Sequence, residues 1–292
     1  MPEPLTGVIA IDKPPGVSSR RVVDAVAKAL GSKAVGHAGT LDPLAEGVVV
    51  ACVGRATKLV DFIHDLPKHY RGGFLLGRSS ASDDLETPVE EEAAPVRPSA
   101  AALAAALPAF RGAILQRPCD YSAVHVAGRR AYRLARQGRP VALAAKPVRI
   151  DRLEVTAYDW PRLGLDIVCS SGTFVRALGR DLAAAIGTRA VMESLVRTAV
   201  GPFRREAAVP LDAVTADSVR RGLLPAVAAV PHLPRLTLDA ATVALAVRGG
   251  LLDLGPAADC VAACDEAGDL VGILRRHASG RHRLRPNFHG VG

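Results

Sequence analysis

The chain has 292 residues, of which 49% are hydrophobic, so a large domain, alone or with a small second one, can bury a substantial core. Its formal charge of +8 favours a polyanionic partner, and no apolar run approaches the roughly 18 residues of a membrane span. Five scattered cysteines do not suggest a disulfide framework, and the start, MPEPLTG, does not resemble a signal peptide, so a cytoplasmic protein is expected.

The first predicted elements are a strand and a helix. Gly7–Asp12 is a short apolar run, and the turn Lys13-Pro14-Pro15-Gly16 cannot continue it as a strand. Ser18 or Ser19 then suits a helix N-cap. The helix buries one face, formed by Val22, Val23, Val26 and Leu30, and ends at Gly31.

The segment Gly36–Gly47, with three glycines in twelve residues, is predicted to be a loop that leads into a buried strand, Val48–Val53. It contains His37, Asp42 and Glu46, and Pro43 restricts the backbone of Asp42. Two interpretations of Asp42 remain open from these residues alone. It is an active-site carboxylate on a rigid loop, or it caps a backbone N–H in a structural turn.

Further elements follow from hydrophobic spacing and from glycine and proline positions. They are a short helix at Lys58–His64, a strand at Tyr70–Leu76, a loop or hairpin at Ser79–Pro98, an alanine-rich helix at Ser99–Phe110, a strand at Arg162–Ser170, a helix at Thr173–Ile186 ended by Gly187, a boundary near Ala226–Pro234, a short helix at Asp239–Val247 and a hairpin at Val261–Leu274.

The string GHAGTLDPLAEG at Gly36–Gly47 closely resembles the catalytic block of the TruB family of pseudouridine synthases. Four more segments resemble the family's blocks, in the family's order: Gly7–Gly16, Lys68–Arg71, Tyr121–Gly138 and Cys169–Leu178. The resemblance covers most of the chain. It implies an α+β fold with a mixed, mainly antiparallel sheet flanked by helices, the pseudouridine synthase fold. It also implies a catalytic domain at 1–230 and a small β-rich PUA-like RNA-binding domain at 235–292.

The resemblance further implies that the chain isomerises the T-loop uridine of tRNA, at position 55, to pseudouridine, with Asp42 as nucleophile. Tyr70 matches the family's active-site tyrosine, which packs against the target base and assists proton removal at C5. Arg176 matches the arginine bridged to the catalytic aspartate, and a cation there favours an ionised carboxylate. Uridine and pseudouridine are isomers, so no cofactor or metal is expected. The expected partner is the tRNA T-stem-loop, bound by a monomer.

Other residues are expected to bind the substrate RNA. His37 is placed to fill the space that a flipped base vacates or to contact the flipped nucleotide. Phe174 stands where the family has tyrosine and can still stack on the base. Leu195 matches the family's last apolar pocket residue, and Lys13 lies in a turn that the family places near the active site.

Charge is concentrated in a region that the family uses to fold over the T-loop, about residues 111–152. From Arg111 to Arg152 there are ten Lys or Arg and two acids, whereas Asp83–Glu92 contains six acids and no base. Within the region, four arginines at helical spacing predict a basic helix face that binds RNA rather than a merely solvated one: Arg129, Arg130, Arg133 and Arg136.

Three departures from the family pattern leave other functions open. Ala81 replaces the first aspartate of the family's TDTxD pattern, Phe174 replaces tyrosine, and Glu46 stands where many relatives have a small residue. A non-catalytic RNA-binding or RNA-folding protein with the same fold is one alternative. The other is a metal-dependent hydrolase that uses Asp42 and His37, although no second histidine lies at ligand spacing.

One pattern near the C-terminus fits a zinc-finger template. Cys260, Cys264, His277 and His282 have the spacing C-x3-C-x12-H-x4-H. The aromatic residue typical of such fingers is missing, because Gly268 takes its position, and DLVGIL suits the second arm of a hairpin better than a finger helix. The hairpin is therefore the preferred interpretation.

Overall fold

This computed structural model of the chain describes residues 5–122, 124–126, 128–138, 143–255 and 258–288, without the side chains of residues 125, 126, 129 and 130. The helices described are α1 (Ser19–Leu30), α2 (Val60–His64), α3 (Ala100–Ala106), α4 (Ala131–Ala135), α5 (Val175–Ala185), α6 (Ala216–Gly222) and α7 (Ala240–Val247). The strands are β1 (Gly7–Lys13), β2 (Val35–Ala38), β3 (Glu46–Val53), β4 (Lys68–Leu76), β5 (Arg78–Ser80), β6 (Val89–Glu91), β7 (Gly112–Gln116), β8 (His125–Val126), β9 (Arg129–Arg130), β10 (Lys146–Asp159), β11 (Arg162–Cys169), β12 (Ala190–Val200), β13 (Phe203–Arg204), β14 (Val209–Pro210), β15 (Arg235–Thr237), β16 (Cys260–Cys264), β17 (Leu270–Arg276) and β18 (His282–Asn287).

A ten-stranded sheet forms the body of the molecule. Its strand order is β14-β1-β3-β12-β4-β11-β10-β7, with β2 paired to β3 and β13 paired to β12. Only the β1–β14 and β3–β12 pairs are parallel among the strand pairs described for this sheet. The predicted mixed, mainly antiparallel sheet with flanking helices is therefore confirmed.

Strands β1 and β3 lie inside this sheet and bury both of their faces. Ile9 of β1 and Val49 of β3 belong to the core that includes α1 and α5. Val8 and Val50, on the opposite face, belong to a second core. A strand buried on both sides needs a continuous apolar run, which is why the Val48–Val53 segment could be recognised from sequence.

Helix α1 shows how local sequence sets an element. Val22, Val23 and Val26 are buried, and Ser18 occupies the N-cap, as predicted. Gly31 ends the helix in a left-handed conformation, φ +61°, and its N–H donates to main-chain carbonyls of the last turn. Glycine adopts this conformation without the strain that a side chain would cause.

The C-terminal region forms a separate four-stranded sheet of order β15-β16-β17-β18, with α7 beside it. The predicted helix and hairpin are both present. One face of this sheet, including Leu270 and Ile273, shares the second core with Val8 and with Phe62 of α2. The Arg275 guanidinium also lies 5.0 Å from the centre of the Phe62 ring. The small sheet and the body are therefore packed through one hydrophobic cluster.

Two sequence predictions about local structure are wrong. The segment Gly36–Ala38 is not loop but belongs to β2, which pairs with β3, so the loop is confined to residues 39–45. The arginines of 121–138 do not share one helix. Gly128, at φ +79°, turns the chain between β8 and β9, and Arg129 and Arg130 therefore lie in a strand. Among the described residues of this segment, only the five-residue α4 is an α-helix.

The acidic segment at 83–92 is not a free anionic loop, because it carries a hairpin, β5–β6, whose carboxylates pair with arginines. Five ion pairs link the segment to other parts of the chain: Asp83 with Arg180, Asp84 with Arg176, Glu86 with Arg136, Glu91 with Arg78, and Glu92 with Arg189. The predicted hairpin is confirmed, and its charge is largely neutralised.

The chain's single tryptophan, Trp160, lies in the turn between β10 and β11. A Cβ added to Gly77 would lie 3.1 Å from its indole ring, and the Arg97 guanidinium lies 5.8 Å from the ring centre. The indole therefore packs at the end of the β10–β11 hairpin. In the part of the chain described, no helix is both long enough and apolar enough to span a membrane.

Candidate active site

The loop at residues 39–45 holds Asp42 in a fixed position. The Ser19 hydroxyl, at the start of α1, accepts from the Leu41 N–H at 2.8 Å and donates to the Leu41 carbonyl at 3.0 Å. The Ala45 N–H donates to the Asp42 carbonyl at 3.1 Å, which closes a turn around Pro43. A carboxylate held in this way keeps its direction, which is what an active-site nucleophile requires.

Lys13 supports this loop from inside the protein and is fully buried, with 0% of its side chain exposed. Its ammonium donates to the carbonyls of Val17 at 2.8 Å and Ala45 at 2.5 Å. Burial, together with the positive charge of Arg197, lowers the pKa of Lys13 to about 8. The prediction that Lys13 contacts RNA directly is therefore wrong for this structure, because the side chain has no exposed surface.

Arg176 of α5 pairs with Asp42, as expected. Its Nη2 lies 3.0 Å from Asp42 Oδ2, and its Nη1 lies 3.1 Å from Oδ2 of the buried Asp84. The guanidinium also donates to the carbonyls of Ser82 at 2.9 Å and Tyr121 at 3.1 Å. Only 6% of the Arg176 side chain and 2% of the Asp84 side chain are exposed, whereas 39% of the Asp42 side chain is, so the network is buried except at Asp42, where it opens to solvent.

A cavity of about 360 Å³ opens beside this network. Its size falls within the range of small-molecule pockets. Six of the residues singled out from the sequence line it: His37, Asp42, Tyr70, Phe174, Arg176 and Leu195. The structure therefore brings together side chains from four separate parts of the chain.

Tyr70 is buried in β4, where 9% of it is exposed, and it faces the cavity. Burial raises the pKa of Tyr70, although the neighbouring Arg197 charge opposes that effect. At neutral pH the phenol therefore keeps its proton. A protonated, buried ring suits packing and hydrogen bonding against a bound base better than it suits abstracting a proton.

His37, on β2, presents its ring at the same cavity. Burial and the positive charge of Arg197 lower the pKa of His37, so the imidazole is neutral at pH 7. Its Nδ1 is buried without a hydrogen-bond partner in the described structure. A neutral ring with an unused nitrogen can accept or donate a single hydrogen bond to a bound nucleotide.

Phe174 occupies the N-cap of α5 rather than its first turns. The side chain of the buried Gln116 of β7 forms hydrogen bonds with both main-chain polar groups of Phe174. The Gln116 Oε1 accepts from the Phe174 N–H at 2.8 Å, and its Nε2 donates to the Phe174 carbonyl at 3.1 Å. The ring position is thus set by a residue 58 places earlier in the chain.

Several cavity residues were not predicted from the sequence. Arg197 of β12 and Lys68 of β4 line the cavity, are buried, and donate to main-chain carbonyls. His64 and the turn from Ser170 to Thr173 complete the lining. The only signal in the sequence was a basic residue inside an otherwise strand-like, apolar run, as at Arg197. That signal indicates an unusual site but not which face the side chain takes.

Glu46 lies away from this cavity, which bears on the metal-dependent alternative. Its Oε1 pairs with Arg205 Nη1 at 3.1 Å, and Arg205 also binds Asp12 at 3.0 Å. Among the described residues lining the cavity, only Asp42 has a carboxylate. Asp42 and His37 therefore have no second carboxylate with which to share a metal ion.

The four residues of the zinc-finger spacing are also separated by the fold. Cys260 and Cys264 stand at opposite ends of β16, about 13 Å apart along an extended strand. Two thiolates on one zinc ion must each lie about 2.3 Å from the metal. His282 is buried and its Nε2 lies 3.1 Å from the Ala258 carbonyl. This geometry does not fit the template.

The basic region of 111–152 reaches the site through its backbone. Tyr121 contributes the carbonyl that Arg176 binds, and the Tyr132 N–H donates to the Ser122 carbonyl at 3.0 Å. Arg133 is exposed on α4. The predicted contacts of the Arg129 and Arg130 side chains lie outside the described residues. The segment thus lies beside the cavity, with at least one arginine facing solvent.

Comparison with known proteins points to a single family. Residues 27–175 match the family model described as TruB family pseudouridylate synthase, N-terminal domain. The chain is 39% identical over 277 residues to tRNA pseudouridine synthase B of Mycobacterium bovis, covering 94% of this chain and 93% of that protein. It is 39% identical over 244 residues to tRNA pseudouridine synthase B of Gloeobacter violaceus, covering 80% and 82%.

Solved structures show the same fold. A Cbf5-Nop10-Gar1 complex contains a chain that superimposes with a TM-score of 0.74 at 23% identity, covering 97% of this chain and 85% of that one. An H/ACA RNP bound to a substrate RNA containing 2′-deoxyuridine gives the same TM-score at 22% identity, covering 97% and 84%.

Proposed function

Because this chain belongs to the TruB family of pseudouridylate synthases, we propose that it isomerises uridine 55 in the T-loop of tRNA to pseudouridine, with Asp42 as nucleophile. The observation that carries the proposal is the network in which the buried Arg176 binds both Asp42 and the buried Asp84 at the edge of the cavity. A non-catalytic RNA-binding protein has no need of a carboxylate oriented in this way.

The reaction breaks the bond between N1 of uracil and C1′ of ribose, rotates the base, and joins C5 to C1′. Asp42 can serve by adding to the sugar, by adding to the base, or by promoting a glycal intermediate. Each route needs a directed carboxylate, and Arg176, itself fixed by Asp84, holds Asp42 Oδ2 at 3.0 Å. Substrate and product are isomers, so this chemistry requires no redox or group-donor cofactor.

The base must leave the RNA stack to reach Asp42. We assign Tyr70 and Phe174 to packing against the flipped uracil and Leu195 to closing the apolar side of the cavity. His37, whose lowered pKa keeps it neutral, is assigned a contact to the flipped nucleotide. Phe174 provides a stacking surface without the hydroxyl of the family's tyrosine.

RNA binding beyond the cavity is assigned to two parts of the chain. The basic region of about 111–152 holds the T-stem-loop, with Arg129, Arg130 and Arg133 contacting phosphates. The C-terminal unit, 235–292, acts as a small PUA-like RNA-binding domain beside the catalytic domain of 1–230. The proposed working form is a cytoplasmic monomer that binds one tRNA.

The test is tritium release from C5-labelled uridine in a T-stem-loop RNA, with Asp42→Asn compared to the wild type. Wild type should release tritium, and Asp42→Asn should release none while still binding the RNA. Glu46→Gln is the matched control, because Glu46 is in the same segment but pairs with Arg205 outside the cavity, and it should retain turnover.

Other outcomes separate the alternatives. Retained activity in Asp42→Asn would remove Asp42 from the mechanism. If neither protein releases tritium although both bind RNA tightly, the non-catalytic RNA-binding alternative is favoured. Phe174→Tyr would then show whether the missing hydroxyl accounts for the lack of turnover.

A further inference from the structure

Arg197 is a buried cation at the floor of the cavity whose role remains to be explained. Only 1% of it is exposed, and it is among the largest fully buried side chains described. It forms no ion pair with any carboxylate of the described residues, whereas Arg176 in the same cavity has two. Burying a guanidinium costs free energy, so its position needs strong compensating contacts.

Those contacts bracket the loop that carries Asp42. The Arg197 Nε donates to the Val48 carbonyl at 2.6 Å, just after the loop. Its Nη2 and Nη1 donate to the carbonyls of Gly39 at 3.2 Å and Thr40 at 3.4 Å, just before Asp42. One planar guanidinium therefore fixes both ends of the segment that positions the nucleophile.

The same guanidinium reaches Tyr70. Arg197 and Tyr70 are directly opposite each other in the antiparallel pair of β12 and β4, so their side chains share one face of the sheet. Both Tyr70 and Arg197 line the cavity, so the two side chains meet on its side of the sheet. Arg197 thus holds the loop that carries Asp42 and lies opposite Tyr70 on the cavity side of the sheet.

The main chain of Arg197 is itself fixed by close packing. Arg197 pairs in parallel with Gly47 of β3, and a Cβ added to Gly47 would lie 2.2 Å from the Arg197 carbonyl oxygen. Gly47 also has φ +105°, which disfavours any side chain there. The backbone of Arg197 is therefore held in place by Gly47, and the guanidinium extends from it into the cavity.

We infer that Arg197 is a positioning residue for the proposed isomerisation, which aligns the Asp42 loop with the Tyr70 hydroxyl and places a positive charge under the bound uracil. On the sugar-addition route, Asp42 bonds to C1′ as the N1–C1′ bond breaks, and the electron pair of that bond leaves with the uracil, which becomes an anion. The anion is discharged when C5 bonds to C1′ and displaces Asp42, after which the C5 proton is lost and N1 gains a proton. A cation that no carboxylate neutralises favours that anion over the neutral base. This inference depends on the proposed function.

The test compares Arg197→Lys and Arg197→Met with the wild type in single-turnover tritium release, RNA binding and thermal unfolding. Lysine keeps the charge but cannot bracket the loop, so Arg197→Lys should fold and bind RNA normally while its rate constant falls roughly 10- to 100-fold. Arg204→Met, an exposed arginine on the neighbouring β13, is the control and should keep the wild-type rate.

A double-mutant cycle with Tyr70→Phe separates positioning from mere support of the fold. If Arg197 acts partly through the Tyr70 hydroxyl, the rate losses of Arg197→Lys and Tyr70→Phe should not add. Additive losses, a wild-type rate in Arg197→Lys, or loss of the folded state in both Arg197 variants would overturn the inference. Absence of tritium release from the wild type would instead reject the proposed function itself.

Discussion

At the scale of single residues, the cavity is unusual in how it stabilises buried charge. Lys13, Lys68 and Arg197 are all buried, and each donates to main-chain carbonyl oxygens rather than to a carboxylate. Carbonyl dipoles offset part of the desolvation cost but leave the net positive charge in place. The electrostatic potential at the cavity is therefore suited to an RNA substrate and to a base that becomes an anion.

Lys68 allows this description to be tested through pH. Burial, aided by the charge of Arg197, lowers the pKa of Lys68 from 10.5 to about 8. Between pH 8 and pH 10.5 the unfolded chain therefore binds more protons at Lys68 than the folded one, and the contribution of Lys68 to the free energy of unfolding rises with pH. Urea unfolding of wild type and Lys68→Met at pH 7.5, 8.5 and 9.5 measures this.

The hydrogen bonds of Lys68 add a part to the difference in unfolding free energy between wild type and Lys68→Met that is the same at every pH. The test is therefore how the total difference changes with pH, and it should favour the wild type increasingly above pH 8. A difference in unfolding free energy that stays constant from pH 7.5 to pH 9.5 would show that Lys68 keeps its ordinary pKa in the folded state.

At the scale of elements, the start of α5 shows what sequence can and cannot predict. Spacing and Gly187 correctly indicate the helix, but its start lies at Val175 instead of Thr173. The Thr173 hydroxyl donates to the Ser170 carbonyl, and Gln116 from β7 caps Phe174. A cap supplied from another strand leaves no local signal, so the boundary cannot be read from nearby residues.

Gln116→Leu tests this cap. The change removes both hydrogen bonds to the main chain of Phe174 and should lower the free energy of unfolding by about 2 kcal/mol. It should also reduce the rate of tritium release, because the Phe174 ring is no longer fixed against the base. Ser99→Ala, which removes the N-cap of α3, is the control: it should cost about 1 kcal/mol without slowing turnover.

A rate unchanged in Gln116→Leu, despite the lower stability, would show that packing of the ring itself holds Phe174 in place. The same limit of sequence reasoning applies to the cavity residues. Asp42, Tyr70 and Arg176 are predicted because each lies in a recognisable block. Arg197 is not, since spacing does not show that a basic residue in a strand turns inward.

At the scale of the whole molecule, ion pairs determine where the net charge of +8 is exposed. Five of the six acids of 83–92 pair with arginines, one of which is Arg136 of the basic region. The exposed Arg133 beside it makes no ion pair within the described structure. Within the basic region, Arg136 therefore pairs with a carboxylate of the chain, whereas Arg133 stays exposed to solvent.

Neutralising Arg129, Arg130 and Arg133 together to glutamine should weaken binding of the T-stem-loop and reduce its dependence on salt. Every phosphate that is no longer neutralised by an arginine lowers the slope of log K against log salt by about 0.7 to 0.9, so the slope of the triple variant should be smaller by about 2. The control is the pair Arg220→Gln and Arg221→Gln on α6. An unchanged slope in the triple variant would show that these arginines face solvent and do not contact phosphates.

Trp160 also has a practical consequence, since it is the chain's only indole fluorophore. Along β11, Arg162 pairs with Leu75 while Ile167 pairs with Tyr70, so the indole lies at least about 17 Å along the sheet from the cavity. Its emission is therefore an optical signal of the β10–β11 hairpin. Denaturation can be followed by tryptophan fluorescence in every variant without interference from a base stacked on Tyr70 or Phe174.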